Sequence, residues 1–340
     1  MTRELSIEVI QRQNSRILGG ATLKELIPLL SDEQEVFVVY DKHVAWVAEA
    51  IACPAIKAFI GIQTSEELKC MDTVLSICRQ LMAAGASRKA LVLAVGGGIT
   101  SDLVGFAASI YMRGVRYANV PTTLLAQVDA AIGGKTGVNL DNYKNMLGNI
   151  VQPAFTFLCA DVLRTLPQRE FRSGAAELLK AFLLDDAGAY ASAVGLLCRN
   201  GVSDTERLQG LIEHAAQIKA DIVARDPFDR GERAKLNLGH TFAHAIEHEA
   251  RKRGDDITHG EAVAIGIVMA AEMSDRECVS NGLAGRLRRD FRDVGLPTEC
   301  PYPQDILREA MLRDKKAAGG KVKFILLRMP GDVIMKEVTL

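Results

Sequence analysis

Six histidines stand in the chain, at His43, His214, His240, His244, His248 and His259, and three of them fall on one predicted helix. His240, His244 and His248, spaced i, i+4 and i+8, share a helix face. Two histidines one turn apart bind zinc in helical sites, so spacing alone pairs His240 with His244. Thr241 follows His240, so the glutamate of an H-E-x-x-H site is missing and protease chemistry has no support. His259-Gly-Glu opens a further apolar helix and could return another imidazole to the same place, with a carboxylate from elsewhere. Three protein ligands and one open position is the catalytic arrangement of such metals. His43, His214 and His248 read instead as hydrogen-bonded core residues.

Two glycine-rich runs offer different chemistry. Leu91-Val-Leu-Ala-Val-Gly96-Gly97-Gly98-Ile-Thr-Ser101-Asp102 is a strand running through three glycines into a helix. Glycines there let backbone N–H groups approach a pyrophosphate, and the helix N-terminus favours its charge. The alternative is a tight strand-to-helix turn, since the full G-x-G-x-x-G is absent. Further on come Arg113-Gly, Pro121-Thr-Thr, Asp129, Gly133-Gly-Lys135-Thr and Lys144-Asn145. The Gly-Lys-Thr looks like the end of a P-loop, but the position that needs the first glycine, with four residues between it and the Gly-Lys pair, is Asp129, which disfavours a nucleoside triphosphatase. Cations set among glycines suit a small phosphorylated or carboxylated anion, through charge-assisted hydrogen bonds.

The elements that must position these groups fall into two kinds. Short apolar strands are predicted at Glu35–Tyr40, Ile56–Ile62, Leu91–Val95, Tyr117–Val120 and Ala154–Leu158. A helix between the second and third carries Leu68, Met71, Leu75, Cys78 and Met82 at helical spacing, and Thr64–Glu67 reads as its capping box. That is a βαβ rhythm and implies a parallel sheet. Beyond about residue 165 helices take over, at Arg169–Leu184, Ser203–Arg225, Glu232–Arg251 and Glu261–Ser280, with a strand pair at Lys321–Arg328 and Val333–Val338. We therefore expect an α/β part with a parallel sheet over residues 1–164 and a mainly α-helical part over 165–340.

At 340 residues, two domains are the ordinary expectation. Forty-one Lys and Arg against 42 Asp and Glu leave a net charge of −1, which gives no general field for nucleic acid or an anionic membrane. The apolar runs fall far short of the ~20 residues of a membrane span. An acid stands in the first five residues, against a secretory signal. Seven cysteines, odd in number and without C-x-x-C spacing, fit reduced, buried thiols. A cytoplasmic enzyme is expected.

Taken together the motifs resemble the 3-dehydroquinate synthase family of sugar-phosphate cyclases. The matching stretches are Gly96–Phe106, Tyr111-Met-Arg-Gly, Val120-Pro-Thr-Thr-Leu-Leu-Ala, Gly133-Gly-Lys-Thr, Lys144-Asn-Met-Leu-Gly, Thr165-Leu-Pro, Ala176-Glu-Leu-Leu-Lys180, Leu236–Glu247, His259–Gly266 and Asp314-Lys-Lys316, in family order. The resemblance implies a dinucleotide-binding α/β domain, a helical metal-binding domain and an active site between them. It implies NAD held by Asp41, Glu66, Lys69, Gly97, Gly98, Asp102, Thr122 and Thr123, with Thr165 and Leu166 nearby. It implies zinc or cobalt on Glu177, His240 and His259, with His244 on the substrate side rather than in the ligand set. Catalytic and substrate groups carry over to Asp129, Lys135, Asn145, Lys180, Lys219, Arg233, Asn237 and His244, and anion-binding groups to Arg113, Lys144, Lys315 and Lys316.

The implied reaction oxidises a seven-carbon keto-acid phosphate with bound NAD, eliminates phosphate, reduces again and closes the ring by an aldol step; the implied assembly is a homodimer. His244 would be a proton-transfer partner. The chain departs from the family pattern at Asp229, where Glu is usual, at Pro227, which replaces an acid, at Ser101, where Gly is common, and at Cys159, where Asp is frequent. The shorter Asp229 carboxylate is expected to reach a metal-site partner only through water. Rival readings are a metal-dependent NAD polyol dehydrogenase, a cyclase for a related sugar phosphate, and a non-catalytic NAD-binding module. The cations at Arg113, Lys135, Lys144, Lys180 and Arg233 argue against the polyol enzyme, whose neutral substrate needs no such field.

Overall fold

A computed structural model describes residues 14–141, 143–198, 203–313 and 321–339. Its strands are β1 (Arg16–Gly19), β2 (Val36–Asp41), β3 (Ile56–Ile62), β4 (Leu91–Gly96), β5 (Arg116–Pro121), β6 (Lys135–Leu140), β7 (Tyr143–Ile150), β8 (Phe155–Leu158), β9 (Lys321–Met329) and β10 (Asp332–Thr339). Six of them form one sheet in the order β1-β8-β5-β4-β2-β3, parallel at every pairing. The five strands expected from apolar runs are all present, each within a residue of its expected ends.

These strands are apolar along their whole length because both faces are covered. Alternate side chains of β2 and β4, namely Phe37, Val39, Val92 and Ala94, pack against α3 (Met71–Ala83) and α4 (Gly98–Ile110). The opposite set, Val36, Val38, Leu91, Leu93 and Val95, belongs to a second core, which continues without interruption into the C-terminal helices. The two short helices α1 (Leu26–Ser31) and α2 (Ala45–Ala50) pack on that same side. Chain order reverses between β2 and β4, since β3 lies outward of β2 on one side and β4 on the other. Ligands of open parallel sheets bind at the carboxyl ends of strands flanking such a reversal, here Asp41 and Gly96.

The C-terminal part holds α5 (Gln168–Asp185), α6 (Ala187–Leu197), α7 (Thr205–Arg225), α8 (His240–Arg253), α9 (His259–Arg276), α10 (Leu283–Val294) and α11 (Gln304–Arg313), followed by the antiparallel pair β9–β10. The expected helix Glu232–Arg251 is in fact two pieces. A 3₁₀ turn over Glu232–Asn237 ends at Gly239, which adopts φ 76°, and α8 starts at His240. A side chain at Gly239 would sit 2.7 Å from the Ile267 backbone nitrogen, and one at Gly266 within 2.2 Å of the Gly239 carbonyl. These glycines let α8 and α9 touch backbone to backbone. Gly260 does the same for α9 and α5, since a Cβ there would lie 2.0 Å from the Ser173 carbonyl oxygen. Three helices are thereby drawn together.

Other expectations are corrected. The helix after β3 begins at Met71, so Thr64–Glu67 caps nothing; the Thr64 hydroxyl donates to Asp41 Oδ2 at 2.5 Å instead. His43 and His248 are exposed and His214 is half-exposed, so none is a core residue. No disulfide forms among the seven cysteines, and only Cys159 is buried. The sequence reading missed the β6–β7 hairpin, β1, α6, α10 and α11. No helix among the described residues is long and apolar enough to cross a membrane.

Candidate functional site

Glu177, on the buried middle of α5, meets His240 at the start of α8 and His259 at the start of α9. One ligand atom from each lies within 4.8 Å of the others. Glu177 Oε1 is buried, accepts no hydrogen bond, and faces His259 Nε2 at 3.3 Å and His240 Nε2 at 3.6 Å. A buried acceptor left without a donor needs an explanation, and a divalent cation with two neutral imidazoles and one carboxylate is the chemical one. The far nitrogens of both rings are already engaged: His240 Nδ1 donates to the Leu238 carbonyl at 3.2 Å, and His259 Nδ1 faces Glu247 Oε1 at 3.5 Å. Such outer contacts fix which nitrogen is left for a metal.

The charges around this trio form a continuous chain. Lys180 Nζ sits 2.5 Å from Glu177 Oε2 and 3.9 Å from Asp129 Oδ1, which accepts from Lys219 Nζ at 2.6 Å. Asp129 lies in a five-residue π-helical stretch, Ala126–Ala130, a form that recurs at functional sites. Burial pushes the Glu177 carboxyl up, but Lys180 and the two imidazoles overcome it and hold the group well below the usual range. Burial pushes Lys219 down despite Asp129, whereas Glu177 and Asp129 outweigh burial at Lys180 and raise it. His240, buried beside Lys180, drops to about 3. At His259 burial is outweighed by Glu177 and Glu247, which lift it to about 10.

The other expected cations come from both parts of the chain, Arg233 from the turn before α8 and Lys135 and Lys144 from the β6–β7 hairpin. Arg233 is buried, its Nη2 donating to the Gly133 carbonyl and its Nη1 to that of Pro227. Lys135 pairs with Asp229 at 2.6 Å, and Lys144 with Glu247 at 3.1 Å. The Gly133-Gly-Lys-Thr run opens β6 rather than a helix, so it builds no P-loop. Asp229 is thus committed to Lys135 directly, which replaces the expected water-mediated link to the metal site. Ser101 is buried, its hydroxyl on the Gly97 carbonyl within the first turn of α4, and Cys159 is a core residue.

The nucleotide-type edge is built mostly of backbone. Gly97 is the N-cap of α4 and provides no side-chain cap, so the first-turn N–H groups of that helix face outward at the sheet reversal. Asp41 ends β2, Thr122 N–H donates to the Gly96 carbonyl, and Thr123 caps the next turn. Lys69 is buried, joining Asp102 at 2.5 Å and Asn145 at 2.6 Å, while Glu66 accepts from Asn139. Thr165 and Leu166 close a 3₁₀ turn at the entry to α5.

Some expected residues are not brought in. Arg113 is exposed at the C-terminal end of α4, opposite to the end that carries Gly97 and Gly98, with φ 70° and no partner among the described residues. His244 is exposed, its ring edge-on to His240 at 5.6 Å, and stands outside the ligand trio that helical spacing had suggested for it. Asn237 is half-buried at the turn leading to His240. Lys315 and Lys316 lie outside the described residues. Glu247 was missed as a site residue, although its place seven residues after His240, two turns along one face, was a usable signal.

Comparison with known proteins gives the family and the fold. The 3-dehydroquinate synthase N-terminal family model matches residues 59–173, and the C-terminal model residues 174–317. A 3-dehydroquinate synthase of Acidithiobacillus ferrooxidans is 41% identical over 344 aligned residues, covering 98% of this chain and 94% of that protein. Among solved structures, a 2-epi-5-epi-valiolone synthase from Streptomyces hygroscopicus subsp. jinggangensis 5008, with NAD+ and Zn2+ bound, superposes with a TM-score of 0.86 at 28% identity, covering 99% of this chain and 95% of that one. A 2-deoxy-scyllo-inosose synthase complexed with carbaglucose-6-phosphate, NAD+ and Co2+ gives 0.82 at 25% identity, covering 96% and 94%.

Proposed function

The chain belongs to the 3-dehydroquinate synthase family, and we propose that it converts 3-deoxy-D-arabino-heptulosonate 7-phosphate to 3-dehydroquinate and phosphate, a step of aromatic amino acid biosynthesis. It is accordingly a phosphate-eliminating carbon–oxygen lyase that depends on NAD and on zinc or cobalt. One observation carries this beyond the family match: the Glu177, His240, His259 trio shares its carboxylate with Lys180, inside a cluster of cations supplied by both halves. A neutral polyol would leave that field unused.

When bound, NAD supplies a hydride acceptor that later returns the hydride, and the divalent cation on Glu177, His240 and His259 supplies a Lewis acid that lowers a hydroxyl pKa, as zinc takes that of water from 15.7 to about 7. The α4 N-terminus, with Asp41 and the Glu66–Lys69 side chains, holds the dinucleotide at the sheet reversal. Arg233, Lys135, Lys144 and Asn145 line the anion end, where fixed donors bind phosphate and carboxylate without reorganising. Asp129 keeps the two buried ammonium groups of Lys180 and Lys219 apart and oriented, and Lys219, pushed down by burial, gives up its proton more readily than an ordinary lysine. His244 provides an exposed imidazole beside His240 that can pass a proton to or from substrate. The same reading places a nucleotide part at 1–164 and a helical part at 165–340, in a cytoplasmic homodimer with no nucleic-acid or membrane partner.

Incubating the protein, NAD and zinc with the phosphorylated keto-acid tests this. Phosphate and cyclic product should appear in equal amounts without build-up of NADH. Stoichiometric NADH would make it a dehydrogenase, and phosphate release confined to a carboxylate-free heptose phosphate would move it to the cyclitol cyclases.

A further inference from the structure

One oxygen serves two masters at the edge of the metal trio. Glu247 Oε1 lies 3.1 Å from Lys144 Nζ on the β6–β7 hairpin and 3.5 Å from His259 Nδ1. The carboxylate is largely buried on α8, at 12% side-chain exposure, so water does little to share the load. Burial pushes it up, yet His259 and Lys144 hold it well below the usual carboxylate range. Lys144 is more open, at 37%, and among the described residues only Glu66 is another anion in reach, at 3.9 Å. A lone pair directed at one cation is weakened toward the other, so the two contacts compete for the same oxygen. His259 meanwhile needs an acceptor at Nδ1 to present Nε2 to Glu177 and to be a strong ligand.

We propose that Glu247 is a positioning residue shared between the two halves: it orients the ligand His259, and an anion that takes Lys144 from it frees the oxygen for His259, so that anion and metal bind cooperatively. The proposal rests on the reading of Glu177, His240 and His259 as metal ligands and of Lys144 as an anion contact. By linkage the effect is reciprocal: whatever factor the anion gives the metal, the metal gives the anion.

The test is zinc affinity, measured by competition with a chromophoric chelator, with and without inorganic phosphate as the probe anion, and repeated with Co2+ so that its visible absorption reports ligand geometry. Glu247→Ala should weaken the metal by roughly 10–100-fold, the usual size of an outer-contact loss. Glu247→Gln keeps an oxygen for Nδ1 but no charge for Lys144; it should weaken the metal less and leave the Co2+ spectrum close to that of the parent. Lys144→Met should tighten the metal several-fold and remove its sensitivity to phosphate, whereas in the Glu247→Gln background it should change nothing. Arg116→Met, which removes a charge paired with Glu33 at the opposite end of the sheet, is the control and should leave metal affinity unaltered. Unchanged affinity in Glu247→Ala overturns the positioning role. A phosphate effect that survives in Glu247→Gln means that phosphate acts on the metal directly, and overturns the shared oxygen. Failure of the underlying reading looks different: metal would then persist in His259→Ala, whatever Glu247 does.

Discussion

The nucleotide edge and the metal centre are built by opposite means. The first is made of main-chain groups, the outward N–H groups of α4 and the ends of β2 and β4, fixed by the register of a parallel sheet. The second is made of side chains from three helices, brought within reach by close backbone contacts at Gly239, Gly266 and Gly260. A main-chain site tolerates exchange of most side chains near it but no added bulk. A side-chain site tolerates bulk at its edges but no loss of charge, because each buried ion is balanced by the next.

The harshest way to break the side-chain half is Glu177→Ala. It removes one metal ligand and leaves Lys180 buried, with Asp129, 3.9 Å away, as the one other carboxylate to balance it among the described residues. Stranding one member of a buried pair destabilises by roughly 3–5 kcal/mol. We expect metal content near zero, no turnover and a urea midpoint lowered accordingly, all measurable on one preparation. Metal loss with unchanged stability would show that the charge chain is not coupled to the fold.

Proton linkage of the metal-free protein comes next. His240, ordinarily near 6.5 and pushed to about 3, is neutral in the fold while the unfolded chain takes a proton below 6.5, so stability falls as pH drops from 6.5 toward 3. Glu177, held low, adds to the loss at the acid end. His259, lifted to about 10, binds a proton in the fold that the unfolded chain lacks above 6.5, so its contribution is lost as pH rises from 6.5 through 10. Each proton changes stability by up to about 1.4 kcal/mol per pH unit. Denaturant midpoints of chelator-treated protein should therefore peak near neutral pH. Zinc binding at pH 8 should release about one proton, from His259, countable by calorimetry in buffers of different ionisation heat. A flat profile, or no proton released, would contradict the arrangement.

The main-chain half was the more legible one in the sequence. Strands buried on both faces are continuous apolar runs, so β2 to β5 and β8 stood out, and so did the glycines opening α4. The hairpin β6–β7 did not, because nearly every residue of Tyr143–Ile150 is exposed and no alternation marks it. In the side-chain half, helical spacing pointed to His240 with His244, but a ligand set that spans α5, α8 and α9 has no local period. The residues alone raised His259 as a further imidazole, but only the resemblance across the whole chain named Glu177 and put His259 in place of His244. Arg113 is a motif match of another kind: within one chain it stands exposed at the far end of α4, away from Gly97 and Gly98.

Bulk at the main-chain half sharpens the contrast. A Cβ at Gly97 would stand 3.1 Å from Thr123 Cγ2, already tight for one methyl. Gly97→Val should therefore shift the start of α4 and lower NAD affinity by at least tenfold, about 1.4 kcal/mol. Metal content should stay at the parent level. Parallel loss of both would mean that the two halves are not separable.

The smallest effect is expected at Asp229, where the resemblance had implied a Glu. Asp229 holds Lys135 at 2.6 Å from a left-handed backbone, φ 57°. Short Asp and Asn side chains accept that conformation more easily than Glu does, through local hydrogen bonds. Lys135 is about half exposed, so the pair itself is worth about 0–1 kcal/mol. Asp229→Glu should accordingly cost under about 1 kcal/mol in stability, by backbone strain rather than by loss of the pair. The added methylene moves the carboxylate past its present contact and crowds Lys135 away from the anion end, so the Michaelis constant for substrate should rise by a few-fold with turnover unchanged. A fall in turnover at constant Michaelis constant would place the 229 carboxylate in the chemistry itself and not beside it.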